Sequence, residues 1–230
     1  MLIQDKDFNF VEFPEEKIPE LIDGKFVIAL DFDGVITNPH KFKTKYINQA
    51  LREIGADFTI SEEQCSRKVC LGLGIPKEVY EKASIRGYAE SQEILLLEKG
   101  FAENFKKLRA LEKIIIIILT SRHDYMIKHL QKYLSYYKIR VDGIIHTKGG
   151  SKAEPLRIIN AKIFVEDDVY KLEKMLKEDS RLFEKYLLVL YRNISNRIEK
   201  SPNKNIMEID NWNDLFKVIS TKYTEFTKKK

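Results

Sequence analysis

Two aspartates, Asp31 and Asp33, follow directly on the apolar run Phe26-Val27-Ile28-Ala29-Leu30, and Gly34 lets the chain turn away behind them. Carboxylates held this close repel one another, and a divalent cation that takes hard oxygen ligands, such as Mg²⁺, removes much of that cost. A helix cap or an Asx turn is the alternative use, and it needs one aspartate rather than two. Three more acids in a row, Glu166-Asp167-Asp168, follow the run Ile163-Phe164-Val165 and invite the same cation, although a helix amino-terminus can also use acids here. Thr120-Ser121-Arg122, after a third apolar run, offers hydroxyls and backbone amides to an oxyanion or a phosphoryl oxygen; Ser and Thr also cap helices routinely. Lys148 and Lys152, on either side of Gly149-Gly150-Ser151, are surface residues by default, yet either can reach into a site as a point charge. Four successive runs thus each end in a residue type that one phosphoryl-transfer site needs.

Such groups work together only if the elements before them bring their ends to one edge. The runs at 26–30, 114–119, 143–145, 163–165 and 187–191 are continuous, apolar and bounded by turn residues, as strands buried on both faces are. Helical spacing appears between them, for instance Tyr125, Ile127, Leu130, Tyr133 and Leu134, then Leu156, Ile158 and Ile159. The alternation predicts an α/β fold, a Rossmann-like parallel sheet flanked by helices, with right-handed crossovers and ligands at the carboxyl ends of its strands. Tyr133, Tyr136 and Tyr137 read as packing against that sheet.

About 80 residues separate the first strand from the second, too many for an ordinary crossover. They read as helices near 42–55, 76–84, 87–98 and 101–110, a small helical insertion over the carboxyl edge. The expected organisation is an amino-terminal extension over 1–24, a core domain over 25–37 and 111–230, and a helical unit over 38–110. Arg67 to Gly74 reads as a basic, glycine-containing loop able to meet substrate or simply a solvated turn. Gly72-Leu73-Gly74 follows no strand and does not extend to GxGxxG, which argues against dinucleotide binding.

The chain has 230 residues, 43% hydrophobic and 33% charged, a globular balance with enough length for a full core. Its charge of +5 is too small for a nucleic-acid footprint, and no basic stripe interleaved with aromatics appears. Part of the excess is the solvated tail Lys228-Lys229-Lys230. The longest apolar run, Ile114 to Leu119, falls far short of the roughly 20 residues that span a bilayer. Two cysteines, Cys65 and Cys70, form no CxxC, and no secretory signal opens the chain, so a cytoplasmic protein with reduced thiols is expected. The four histidines show no metal-ligand spacing; His123, next to Arg122, could touch substrate.

In order and spacing the motifs resemble those of the haloacid dehalogenase (HAD) superfamily of phosphohydrolases, over residues 25–170. Asp31-Phe32-Asp33-Gly34-Val35 matches that family's Asp-x-Asp motif, Thr120 its second, Lys152 or Lys148 its lysine, with Lys152 preferred at a helix start, and Asp167-Asp168 its acidic pair. The resemblance implies a phosphatase with Asp31 as nucleophile, Asp33 as acid and base, and Thr120 and Lys152 as further catalytic groups. It implies Mg²⁺ held by Asp31, Asp33 (through its backbone carbonyl) and Asp167, with Asp168 or Glu166 completing the shell. Thr120, Ser121, Arg122 and Lys148 would bind substrate, and 38–110 would be a cap of the first type, favouring small phosphorylated substrates.

A fainter resemblance, to the 5′(3′)-deoxyribonucleotidase-like branch, rests on Leu187 to Tyr191, Arg192-Asn193 and Asn211-Trp212-Asn213-Asp214-Leu215. It nominates nucleoside monophosphates beside sugar phosphates as substrates. A phosphomutase of the same superfamily and a non-catalytic binding protein of the same fold are the alternatives.

Overall fold

The computed structural model describes residues 1–91 and 95–228, apart from the side chains of Glu90 and Ser91. In chain order the strands are β1 (Leu2–Gln4), β2 (Phe10–Glu12), β3 (Phe26–Leu30), β4 (Thr37–Asn38), β5 (Leu96–Leu97), β6 (Ile114–Thr120), β7 (Gly143–His146), β8 (Ile163–Glu166), β9 (Leu187–Tyr191) and β10 (Met207–Ile209). The helices are α1 (Ile18–Ile22), α2 (His40–Glu53), α3 (Arg67–Gly72), α4 (Lys77–Ser91), α5 (Phe101–Arg109), α6 (Asp124–Tyr136), α7 (Ala153–Ile158), α8 (Val169–Glu178), α9 (Leu182–Lys185) and α10 (Trp212–Lys228).

Eight strands form one sheet in the order β10-β9-β8-β3-β6-β7-β1-β2. All five expected strands are in it, and the six from β10 to β7 in that order are parallel. The amino-terminal extension supplies two strands of its own: β1 runs antiparallel on β7, and β2 antiparallel on β1. These three-residue strands are too short to show an apolar run, and β2, at the sheet edge, buries little. The sheet is an α/β layer with helices on both faces, as expected.

Side chains alternate across β3, so Phe26, Ile28 and Leu30 join one core cluster while Val27 and Ala29 join the other. Trp212 of α10 and Phe101, Phe105 and Leu108 of α5 pack in the first cluster. Ala153 and Leu156 of α7, and Val169, Leu172 and Met175 of α8, pack in the second. A third cluster belongs to α2, α3, α4 and the segments between them, through Ile47, Leu51, Cys65, Cys70, Ile75 and Tyr80. The helical insertion therefore has a small core of its own, whereas α5, grouped with it in the sequence reading, packs on the sheet.

Local differences have local causes. The expected break between helices 76–84 and 87–98 is absent over the described residues; α4 is continuous to Ser91, part of the second span lies outside the described residues, and Leu96–Leu97 is strand. Gly87 is no breaker: a Cβ there would stand 3.2 Å from Lys43 Cα, so the glycine lets α2 and α4 pass closely. Most of Arg67 to Gly74 is helix rather than loop: Ser66 Oγ accepts from Val69 N at 3.2 Å and starts α3, which ends at Gly72. Where the chain leaves the sheet and returns, β4 and β5 pair antiparallel, too short to show in the sequence. Tyr133 is buried and Tyr137 half-buried, but Tyr136 is 78% exposed. Among the described residues no helix is long and apolar enough to cross a membrane.

Candidate active site

Register brings the acids together. β3 lies between β6 and β8, with Leu30 opposite both Ile118 and Val165, so Asp31 and Glu166 stand level on neighbouring strands. Asp31 N donates to Val165 O at 2.9 Å, extending the ladder by one step. The two-residue period turns both carboxylates to the face covered by α7 and α8. Lys152, at the start of α7, reaches them there: its Nζ lies 2.9 Å from Asp31 Oδ1 and 2.7 Å from Glu166 Oε2. All three side chains are at most 1% exposed.

A second ammonium was not anticipated. Lys171, on the first turn of α8, places Nζ 3.1 Å from Asp31 Oδ2 and 3.7 Å from Glu166 Oε1. In the sequence it is one of many lysines; only its position three residues beyond Asp168, on a helix starting at the acidic run, hints at the site.

Burial opposes the charge on Asp31, but Lys152 and Lys171 outweigh it and hold the carboxyl well below its usual range. Glu166 is pushed up by burial and by Asp31 beside it. Burial, with Asp31 adding, pushes Asp167 up to about 7. Asp31, Glu166 and Asp167 each bring a carboxylate oxygen within 4.8 Å of the others. Two ammonium groups therefore face three clustered carboxyl groups, Asp31 and Glu166 buried and Asp167 half-buried, and hard oxygen donors gathered this closely are what a divalent cation fits.

The loop after β3 is tightly built. Gly34 has φ +84°, and a Cβ on it would stand 1.9 Å from Asp167 Oδ2, so only glycine fits. Asn193, after β9, donates through Nδ2 to Gly34 O at 3.0 Å and Asp167 Oδ2 at 2.9 Å. Trp212 Nε1 donates to Val35 O at 2.8 Å. Both residues were singled out by the chain-end likeness, and both hold this loop.

The other candidates divide. Thr120 is buried at the end of β6, and with Ser121 it lines a cavity of about 420 Å³ that also includes Asp33, Lys152 and Asp167. Arg122 is buried and grips Asp33 bidentately, Nε to Oδ2 at 2.8 Å and Nη2 to Oδ1 at 2.7 Å, with its guanidinium 4.8 Å from the Phe32 ring centre. Its fork thus meets the aspartate rather than open space, although it borders the cavity. Lys148 does not line the cavity; it is 59% exposed and pairs with Asp124 at 2.8 Å. Asp168 lines the cavity and also caps α8, Oδ1 accepting from Tyr170 N at 2.9 Å. His123 borders the cavity.

Comparison with protein-family models gives no match, and comparison with curated proteins gives none. Solved structures do match. A predicted phosphatase from Clostridium acetobutylicum superposes with a TM-score of 0.62 at 15% identity, covering 86% of this chain and 99% of that one. A conserved haloacid dehalogenase-like protein of unknown function from Agrobacterium tumefaciens gives 0.59 at 14%, covering 87% and 100%. A hydrolase of the haloacid dehalogenase-like family from Streptococcus pneumoniae gives 0.59 at 11%, covering 84% and 98%. At such identities the likeness is one of fold, and the fold is that of the haloacid dehalogenase-like hydrolases.

Proposed function

We propose that the protein is a Mg²⁺-dependent phosphatase of small phosphomonoesters that works through an aspartyl-phosphate. The observation that carries this reading is the Asp31 carboxylate, buried at a strand end and kept anionic by Lys152 and Lys171. In the first step an Asp31 oxygen attacks phosphorus, the ester P–O bond breaks, and Asp33 gives a proton to the leaving oxygen. In the second, Asp33 takes a proton from water as that water attacks the aspartyl-phosphate, returning Asp31 and releasing phosphate. Arg122 positions the Asp33 carboxylate and holds it ready to take the proton from water. Thr120 hydrogen-bonds a phosphoryl oxygen, and Lys152 balances charge on the nucleophile and phosphate.

Asp31 and Asp167 would hold the metal, with the Asp33 backbone carbonyl, and Glu166 or Asp168 would support the shell. When bound, Mg²⁺ neutralises charge on the phosphoryl group. The helical unit α2–α4 acts as a cap that excludes water, and it meets the core at Lys68–Glu173, 2.6 Å apart. Nucleoside monophosphates and sugar phosphates are the first substrates to assay, and a cytoplasmic setting fits the two free, buried cysteines.

The test is phosphate release from a panel of nucleotides, sugar phosphates and an aryl phosphate, with Mg²⁺ or EDTA, for wild type and Asp31→Asn. Mg²⁺-dependent turnover that falls by about 10³-fold or more in the variant is the expected result. Full turnover by Asp31→Asn would sink the covalent mechanism.

A further inference from the structure

The half of the cavity formed by the helical unit holds polar groups that the mechanism does not use. Lys43 of α2 is only 8% exposed, lines the cavity, and enters no ion pair among the described residues. Its ammonium lies 5.1 Å from the centre of the Tyr80 ring. Burial works against its charge, but Tyr80 and Tyr88 more than offset this. Tyr80, Ser84 and Tyr88 follow at four-residue steps on α4, so one helix face presents three hydroxyls to the same space. Ser84 is 6% exposed and its Oγ, buried, has no hydrogen-bond partner among the described residues.

A buried ammonium with no carboxylate and a buried hydroxyl with no partner are each costly to leave unmatched. They become favourable when an anion arrives between them. Tyr88 connects the two halves of the cavity: it lies within electrostatic reach of both Lys43 and Asp33, and Arg122 stands 5.8 Å from its ring centre. We propose that Lys43 and Ser84, with Tyr80 and Tyr88, bind a second anionic group of the substrate, a carboxylate, at the end away from the transferred phosphoryl group. Arg67 and Lys77, which also line the cavity, both face Glu81, so what Lys43 and the neutral hydroxyls are left to balance is one negative charge, which suits a carboxylate better than a phosphate dianion. A cavity of about 420 Å³ leaves room for a phosphorylated acid of sugar size. This rests on the phosphatase reading and narrows its substrate class.

The experiment uses matched pairs that differ by a carboxylate: 6-phosphogluconate against sorbitol 6-phosphate, and 3-phosphoglycerate against glycerol 3-phosphate. Initial rates are measured for wild type, Lys43→Met, Lys43→Arg and Ser84→Ala. Wild type should favour the acid of at least one pair by about 30-fold in kcat/KM. Lys43→Met should collapse that ratio through the acid's KM, and Lys43→Arg should restore part of it. A Tm of Lys43→Met close to that of wild type, read by circular dichroism, shows that a loss of preference is not due to unfolding.

No preference for either acid in wild type, an equal loss on acid and alcohol in Lys43→Met, or a stronger preference for a bisphosphate than for the acid would overturn the proposal. Calorimetry on Asp31→Asn separates the two readings. Lys43-dependent binding of the acid without turnover by wild type upholds the subsite and sinks the phosphatase, whereas turnover with no preference does the reverse.

Discussion

Lys171 Nζ lies 3.1 Å from Asp31 Oδ2, on the oxygen opposite the one that Lys152 Nζ holds at 2.9 Å. Both oxygens of one buried carboxylate therefore carry an ammonium, and the two lysines come from helices that follow different strands. Lys152 is 1% exposed and fixed, whereas Lys171 is 28% exposed and able to move toward solvent. On the proposed reading, Lys171 is the counter-ion that a divalent cation would displace.

Lys171→Met should then tighten Mg²⁺ binding by about tenfold, since the carboxylates lose a competing positive charge. Calorimetric titration of wild type and variant with MgCl₂ reads this directly. Equal or weaker affinity in the variant would mean that Lys171 does not compete with the cation.

Gly34→Ala should cripple both stability and activity. The methyl group meets Asp167 Oδ2 at 1.9 Å, and a non-glycine residue at φ +84° is strained in any case. A loss of about 2 kcal/mol or more is expected, which corresponds to a fall in Tm of roughly 4–8 °C for a chain of this size. Thermal unfolding followed by circular dichroism checks it, and an unchanged Tm would contradict the close approach of the loop to Asp167.

Glu98 sets a pH dependence. Burial, with Asp167 adding, pushes its carboxyl up to about 7 from 4.5, and Oε1 is buried without a partner among the described residues. Because the folded pKa is the higher one, the unfolded chain gives up this proton first as pH rises. Stability therefore falls between pH 4.5 and about 7 and stays lower above, by on the order of 2 kcal/mol. Glu98→Gln should raise Tm at pH 8 and change it little at pH 4.5; equal effects at the two values would refute the assignment.

Trp212→Phe removes the donor to Val35 O from a fully buried position that packs edge-on against Phe101 at 4.9 Å. Leaving that carbonyl unmatched should cost about 1–2 kcal/mol. Because the bond pins the loop carrying Asp33, kcat should fall more than KM changes. Urea unfolding by circular dichroism and steady-state kinetics measure the two effects, and normal kcat with lowered stability would limit Trp212 to packing.

The sequence by itself determined the parallel sheet and the places where chemistry could sit. Each buried strand was a continuous apolar run, and Asp31, Thr120 and Glu166-Asp167 came immediately after or at the end of one, because a sheet this apolar can hold polar groups only at its ends. Lys152 was legible for a similar reason, as a lysine opening the helix after the third run. Partnership was decided only by the tertiary structure. Strand order and register set Asp31 beside Glu166 and on the face reached by Lys152 and Lys171. The same geometry gave Arg122 to Asp33 and left Lys148 at the surface with Asp124. Strands β1 and β2 escaped notice because three residues are too few to show an apolar run, and β2, at the sheet edge, buries little. Lys43 escaped for the opposite reason: a lysine is normally solvated, and only the packing of α2 against α4 buries this one without a carboxylate.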